Sequence, residues 1–154
     1  MAAQEGGANR VELCAAIPEG GTTPSYGEIR MARKLIDIRL HVIIRPRGGD
    51  FLYSPVEIET MEEDICMARQ AGADGVVFGC LTPEGALDMP AMERLMKAAE
   101  GMAVTFHRAF DYVKDPKQVF ETLIQLGVVR VLTSGQQPVA IKGAALLALS
   151  LIHI

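Results

Sequence analysis

Two arginines close the apolar run HVIIRPRGGDF at residues 41–51. Val42, Ile43 and Ile44 are β-branched and read as a buried strand. Arg45 and Arg47 lie two positions apart, so they share one face as long as the chain stays extended. Pro46 ends the ladder by removing a donor, and Gly48-Gly49 permits a sharp turn and close approach by a ligand. Two guanidinium forks on one face suit a carboxylate or a phosphate. The alternative is that they pair with an interior carboxylate such as Glu12.

MAVTFHRAFD (102–111) repeats this logic. Val104 and Phe106 alternate with Thr105 and His107, which places the apolar pair toward packing helices and the polar pair toward an interior. His107, near a strand end, fits a general acid or base, a metal ligand or a satisfied core histidine. Arg108 and Asp111 keep it company. In RVELC (10–14), Glu12 and Cys14 share one parity. A glutamate inside a strand is costly to bury alone, so Glu12 needs Arg45, His107 or a ligand. LTSG (132–135) ends a further run with hydroxyls and a glycine, a weak signal for an anion held by backbone N–H groups. The anion-site or substrate-site candidates are therefore Glu12, Arg45, Arg47, His107, Arg108 and Asp111. No residue is assigned a catalytic step.

Metal chemistry rests on sulfur, because Cu(I) prefers thiolate and thioether ligands. Of the three cysteines, Cys14 lies at a strand end and is the best ligand candidate. Cys80 shares parity with Phe78 and points toward the helices, and Cys66 falls on a helix as a core residue. No CxxC pair occurs, and no signal-peptide pattern opens the chain, so the thiols read as reduced and cytoplasmic.

These residues need elements to position them. Strand-like runs begin at residues 10, 40, 75, 102 and 128, a spacing that fits one strand and one helix per unit. Ser54-Pro55-Val56-Glu57 is a capping box with proline at the first helical position. Asp115-Pro116-Lys117-Gln118 repeats the device; Thr23-Pro24 and Asp88-Met89-Pro90 are weaker versions. Gly72, Gly101 and Gly127 sit where helices should stop. Strand, capped helix, glycine and strand in repetition imply right-handed βαβ units and a parallel sheet. No GxGxxG loop supports an open dinucleotide-type sheet, whereas polar residues at several strand ends suit a (β/α)8 barrel. Such a barrel takes about 250 residues. The expected fold is therefore α/β, a partial TIM barrel over 1–140 holding strands two to six, with intervening helices. Residues 141–154, ending LSLIHI, fit no unit and are expected not to be native sequence.

The net charge of −4 leaves no basic stripe for a nucleic-acid backbone. The apolar tail AALLALSLIHI falls short of the roughly 18 residues a membrane span needs.

RVELC, EGGTTPS, IIRPRGGDFLYS, GADGVVFG, VTFHRAFD and RVLTSG, in this order, resemble the copper homeostasis protein CutC family over residues 5–140. The resemblance implies a cytoplasmic TIM-barrel protein, usually a homo-oligomer, linked to copper handling and proposed to bind Cu(I). It also implies a thiol pair, one cysteine on a first strand and one in RVELC. Cys14 matches the second, and the first has no counterpart. Two expectations follow: copper homeostasis with Cu(I) at Cys14, or a barrel enzyme or former enzyme taking a small anionic metabolite at the strand ends.

Overall fold

The computed structural model describes residues 1–152. Five strands, β1 (Arg10–Leu13), β2 (Arg39–Ile43), β3 (Gly75–Phe78), β4 (Ala103–Phe106) and β5 (Arg130–Val131), are all parallel and lie in sequence order. The helices are α1 (Ala2–Glu5), α2 (Tyr26–Leu35), α3 (Pro55–Ala71), α4 (Met89–Ala98), α5 (Pro116–Gln125) and α6 (Ala144–Ile152). The result is a curled half-barrel with helices between its strands, as the repeat spacing requires.

Local chemistry sets the helix starts. At α3 the Ser54 side chain accepts from Glu57 N at 3.3 Å and Glu57 Oε2 accepts from Ser54 N at 2.7 Å. The capping box of α2 is built on Ser25 and Glu28 rather than on Thr23-Pro24. Thr23 instead accepts the backbone N–H of Arg45 at 2.9 Å, tying the β1–α2 loop to the end of β2. Asp88 and Asp115 cap α4 and α5 by accepting from Ala91 N and Gln118 N. Gly72 ends α3 with φ +95°, where a Cβ would be strained.

One face of the sheet carries Leu40, Val42, Ile44, Val76, Phe78, Val104 and Phe106, each at most 2% exposed. They pack on Ile58, Met61 and Ile65 of α3, Met92 and Leu95 of α4, and Leu123 of α5. Burying each such side chain contributes about 1.5–3 kcal/mol. This outer layer therefore carries most of the hydrophobic stabilisation, and the methionines act as core fillers.

Two further short elements follow β5. Residues 140–143 form a 3-10 turn and α6 follows, although the sequence carries no cap there. Of the LSLIHI segment, His153 and Ile154 lie outside the described residues.

Candidate inner-face and strand-end site

The register sorts the inner face into levels. Glu12, His41, Gly75 and Ala103 are level with one another. Ile43, Val77, Thr105 and Arg130 form the next level, which by parity includes Cys14. Arg45 and His107 belong to the level above, at the C-terminal ends of β2 and β4.

Arg45 is 4% exposed. Its Nη1 donates to Glu19 O at 2.9 Å and Gly21 O at 3.1 Å, and its Nη2 donates to Gly49 O at 2.7 Å. The guanidinium lies 4.8 Å from the Phe51 ring centroid. Arg47 turns elsewhere. Its Nε meets Glu57 Oε1 at 2.6 Å, Nη1 meets Asp50 Oδ1 at 2.9 Å, and Nη2 donates to Leu52 O at 2.6 Å. The expected shared face fails because β2 ends at Ile43 and the chain turns after Pro46. Glu57 then serves twice, one oxygen in its helix cap and one on Arg47. The glycine pair has two separate reasons. Gly49 has φ +82°, and a Cβ on Gly48 would stand 2.6 Å from Glu19 Oε2.

His107 joins Arg45. It is 4% exposed, and its ring lies 4.8 Å from Phe51. Nδ1 accepts from Ala109 N at 3.3 Å, so in the neutral ring Nε2 carries the hydrogen. Nε2 is buried and meets no acceptor among the described residues. Burial, and then the Arg45 charge, push the His107 pKa down to about 3. The ring is thus a neutral N–H donor. Its remaining lone pair is engaged, which disfavours a role as metal ligand or general base. Arg45 Nε and the Tyr53 hydroxyl are also buried and form no hydrogen bond of good geometry among the described residues, although the Arg45 side chain acts on the Tyr53 hydroxyl and opposes the effect of burial on it. Burial pushes the Tyr53 pKa to about 12. Phe51 and Tyr112 wall an adjoining cavity of about 410 Å³, with Asp50, Leu81 and Thr82.

The other candidates lie apart from this pair. Glu12 has the expected inner parity but sits low, level with His41, and pairs with Arg10. Arg108 and Asp111 organise the loop after β5. The Asp111 carboxylate accepts from Thr133 Oγ1 at 2.6 Å, Ser134 N at 3.1 Å, Gln136 N at 3.0 Å and Arg108 Nε at 2.8 Å. Burial alone would raise its pKa, but these donors outweigh burial and hold it below the usual range. The backbone N–H groups of the TSG loop do hold an anion, and that anion is Asp111.

Cys14 is half-buried beside Gly21, its Sγ 3.7 Å from the position a Cβ there would take. No group of three His, Cys, Asp or Glu side chains able to hold a metal occurs among the described residues. Cys80 faces the helices as expected, and burial raises its pKa to about 12. Cys66 is not core: it is half-buried and lines a groove with Glu62, Arg69, Arg94 and Lys97.

Sequence reasoning missed Phe51, which covers both Arg45 and His107, and Gly79. A Cβ on Gly79 would stand 2.8 Å from the Phe106 ring and 3.0 Å from His107 Nδ1. A glycine inside the strand-like run VVFGC was the available signal.

The CutC family model matches residues 1–153. A CutC family protein of Bacteroides fragilis is 68% identical over 148 residues, covering 96% of this chain and 59% of the relative. One from Porphyromonas gingivalis is 61% identical, covering 92% and 57%. The crystal structure of a candidate copper homeostasis protein CutC from Streptococcus agalactiae superposes with TM-score 0.89 at 38% identity, covering 93% and 71%. A candidate phosphonomutase from Burkholderia cenocepacia shares the fold alone, with TM-score 0.57 at 13% identity. The chain thus spans about 59% of the length of the curated relatives it matches.

Proposed function

The chain belongs to the CutC family, and from that premise we propose a role in copper homeostasis, with a small oxyanion as the ligand of its own strand ends. The observation that carries the oxyanion is His107 Nε2–H, a buried donor without an acceptor, held beside the Arg45 guanidinium. A buried donor left unpaired costs about 1–3 kcal/mol, and an anionic acceptor removes that cost. The Phe51 ring stands over both residues, and the neighbouring cavity shares Phe51 with the pair, although Arg45 and His107 do not line it.

Direct Cu(I) binding is the second reading, favoured by Cys14, the half-buried thiol one level below Arg45. It is the weaker of the two, because no group of three His, Cys, Asp or Glu side chains that could hold a metal includes Cys14 among the described residues. The proposed setting is the reducing cytoplasm, which suits three free cysteines, with assembly as a homo-oligomer. No described helix is long and apolar enough to cross a membrane.

The test is calorimetric titration with inorganic phosphate, sulfate and acetate. Saturable binding of one of them, weakened at least about tenfold in His107→Phe, is expected. Heat without saturation for all three, or binding indifferent to His107, overturns the oxyanion reading. Competition against a Cu(I) chelator under reducing conditions tests the other reading. Tight one-to-one binding lost in Cys14→Ala would establish it.

A further inference from the structure

His41 lies one layer deeper on the inner face, and the strand-end site does not use it. The side chain is completely buried, yet neither ring nitrogen has a hydrogen-bond partner among the described residues. Thr105 Oγ1, 2% exposed, and Arg130 Nη1 are buried and unpartnered in the same way. Thr105 and Arg130 are register partners on β4 and β5, one level above His41 on the same face.

This placement is built into the backbone. The His41 ring lies against Gly75, where a Cβ would stand 2.6 Å from Cε1 and 2.8 Å from Nδ1. Only glycine at that position leaves room for the imidazole there.

The charges around the ring select the occupant. Arg10 comes from β1 and Arg130 from β5, the two edges of the sheet, and both charges act on His41. Burial first, and then these two arginines, lower its pKa against the opposing pull of Glu12 and Asp74. A neutral imidazole keeps one N–H donor. Arg10 already pairs with Glu12, and Asp74 pairs with Arg33, so Arg130 is left without a carboxylate among the described residues. A metal cation is disfavoured beside two guanidinium groups. A dianion would leave excess negative charge. One monoanionic group balances Arg130 and can accept from its Nη1, from the imidazole N–H and from the Thr105 hydroxyl.

We propose that the inner face holds a second ligand position at His41, Thr105 and Arg130, built to take one carboxylate. The carboxylate is either a side chain from the additional length that the relatives possess or a free small acid.

The test reads the His41 ring directly, by long-range ¹⁵N–¹H spectra of histidine-labelled protein titrated with acetate. One sample is this chain, and the other is the protein lengthened to the size of its relatives. A saturating shift of the His41 ring signals in this chain is expected, with the dissociation constant raised at least about tenfold in Arg130→Gln. In the longer protein, a hydrogen-bonded His41 N–H without acetate identifies a side-chain carboxylate. A requirement for acetate there identifies a free acid. If this chain does not fold, the longer protein alone decides. A His41 that ignores acetate and whose N–H exchanges freely in the longer protein overturns the proposal. His107→Phe should leave the His41 response unchanged, so failure of the strand-end site is read separately.

Discussion

Arg45 and Arg47 look equivalent in the sequence, and replacing each by methionine should separate them sharply. Arg45 gives three hydrogen bonds to carbonyl oxygens. Gly21 is buried, so its carbonyl loses a charge-assisted partner that water cannot easily replace, at about 1–3 kcal/mol. Glu19 and Gly49 are exposed, and water can take over at their carbonyls for about 0–1 kcal/mol each. Methionine fills much of the stem volume and removes a buried charge, which offsets part of the loss. The net expectation is a destabilisation of about 2–3 kcal/mol. The Arg47 side chain is 40% exposed, and its partners Asp50 and Glu57 are 62% and 26% exposed. Its exposed pairs are each worth about 0–1 kcal/mol, so Arg47→Met should cost about 1 kcal/mol or less. Urea unfolding reads both. With m of roughly 2 kcal/mol/M, the midpoint should fall by about 1–1.5 M in Arg45→Met and by under about 0.5 M in Arg47→Met, with m unchanged. Equal shifts, or a larger loss at Arg47, would refute the assignment of Arg45 as the buried organiser of this corner.

The His107 pKa of about 3 lies below its ordinary 6.5, so as pH falls through 6.5 the unfolded chain takes up a proton that the fold cannot. Stability should therefore fall from about pH 6.5 toward pH 3, this residue contributing up to about 1.4 kcal/mol per unit, and His107→Phe should flatten that part of the urea-derived profile. Gly75→Ala sets a methyl 2.5 Å from Ala103 O as well as against His41, and thermal unfolding should show a loss of more than about 2 kcal/mol. Asp111→Ala removes the acceptor that gathers Thr133, Ser134 and Gln136. Hydrogen exchange should show lost protection at the Ser134 and Gln136 amides, while the β2 and β3 amides stay unchanged.

What the sequence revealed follows from the range of the forces involved. Ser54-Glu57 was legible because a capping box needs only four consecutive residues. The outer face was legible because Val104 and Phe106 alternate with Thr105 and His107 at the pleat period, and all four face as that period dictates. Height along the barrel was not legible. Glu12 has the right parity, but only the register shows that it is level with His41, well below Arg45. The turn that separates Arg47 from Arg45 is likewise set at a distance, by Glu19 packed on Gly48 and by Glu57 at the start of α3. Asp111 misled for a related reason: a carboxylate near a strand end looks the same whether it meets a ligand or the next loop.

The two faces of this sheet divide the labour. On the outer face, alternate residues from every strand are apolar and packed on helices, so burial there is favourable throughout. On the inner face, His41, Arg45, Thr105, His107 and Arg130 each bury at least one polar atom that has no hydrogen-bond partner among the described residues. At about 1–3 kcal/mol for each unpaired group, this is a cost comparable with the net stability of a domain, roughly 5–15 kcal/mol. The outer layer alone would be more stable with apolar residues at those five positions. Their presence is therefore best understood through what they can bind. In the proposed reading Arg45 and His107 take an acceptor at the strand ends, and His41, Thr105 and Arg130 take another one layer below. Acceptors that supply both sets would turn the inner face from the costly side of the sheet into a stabilising one, so ligand binding and folding of this half-barrel should be coupled.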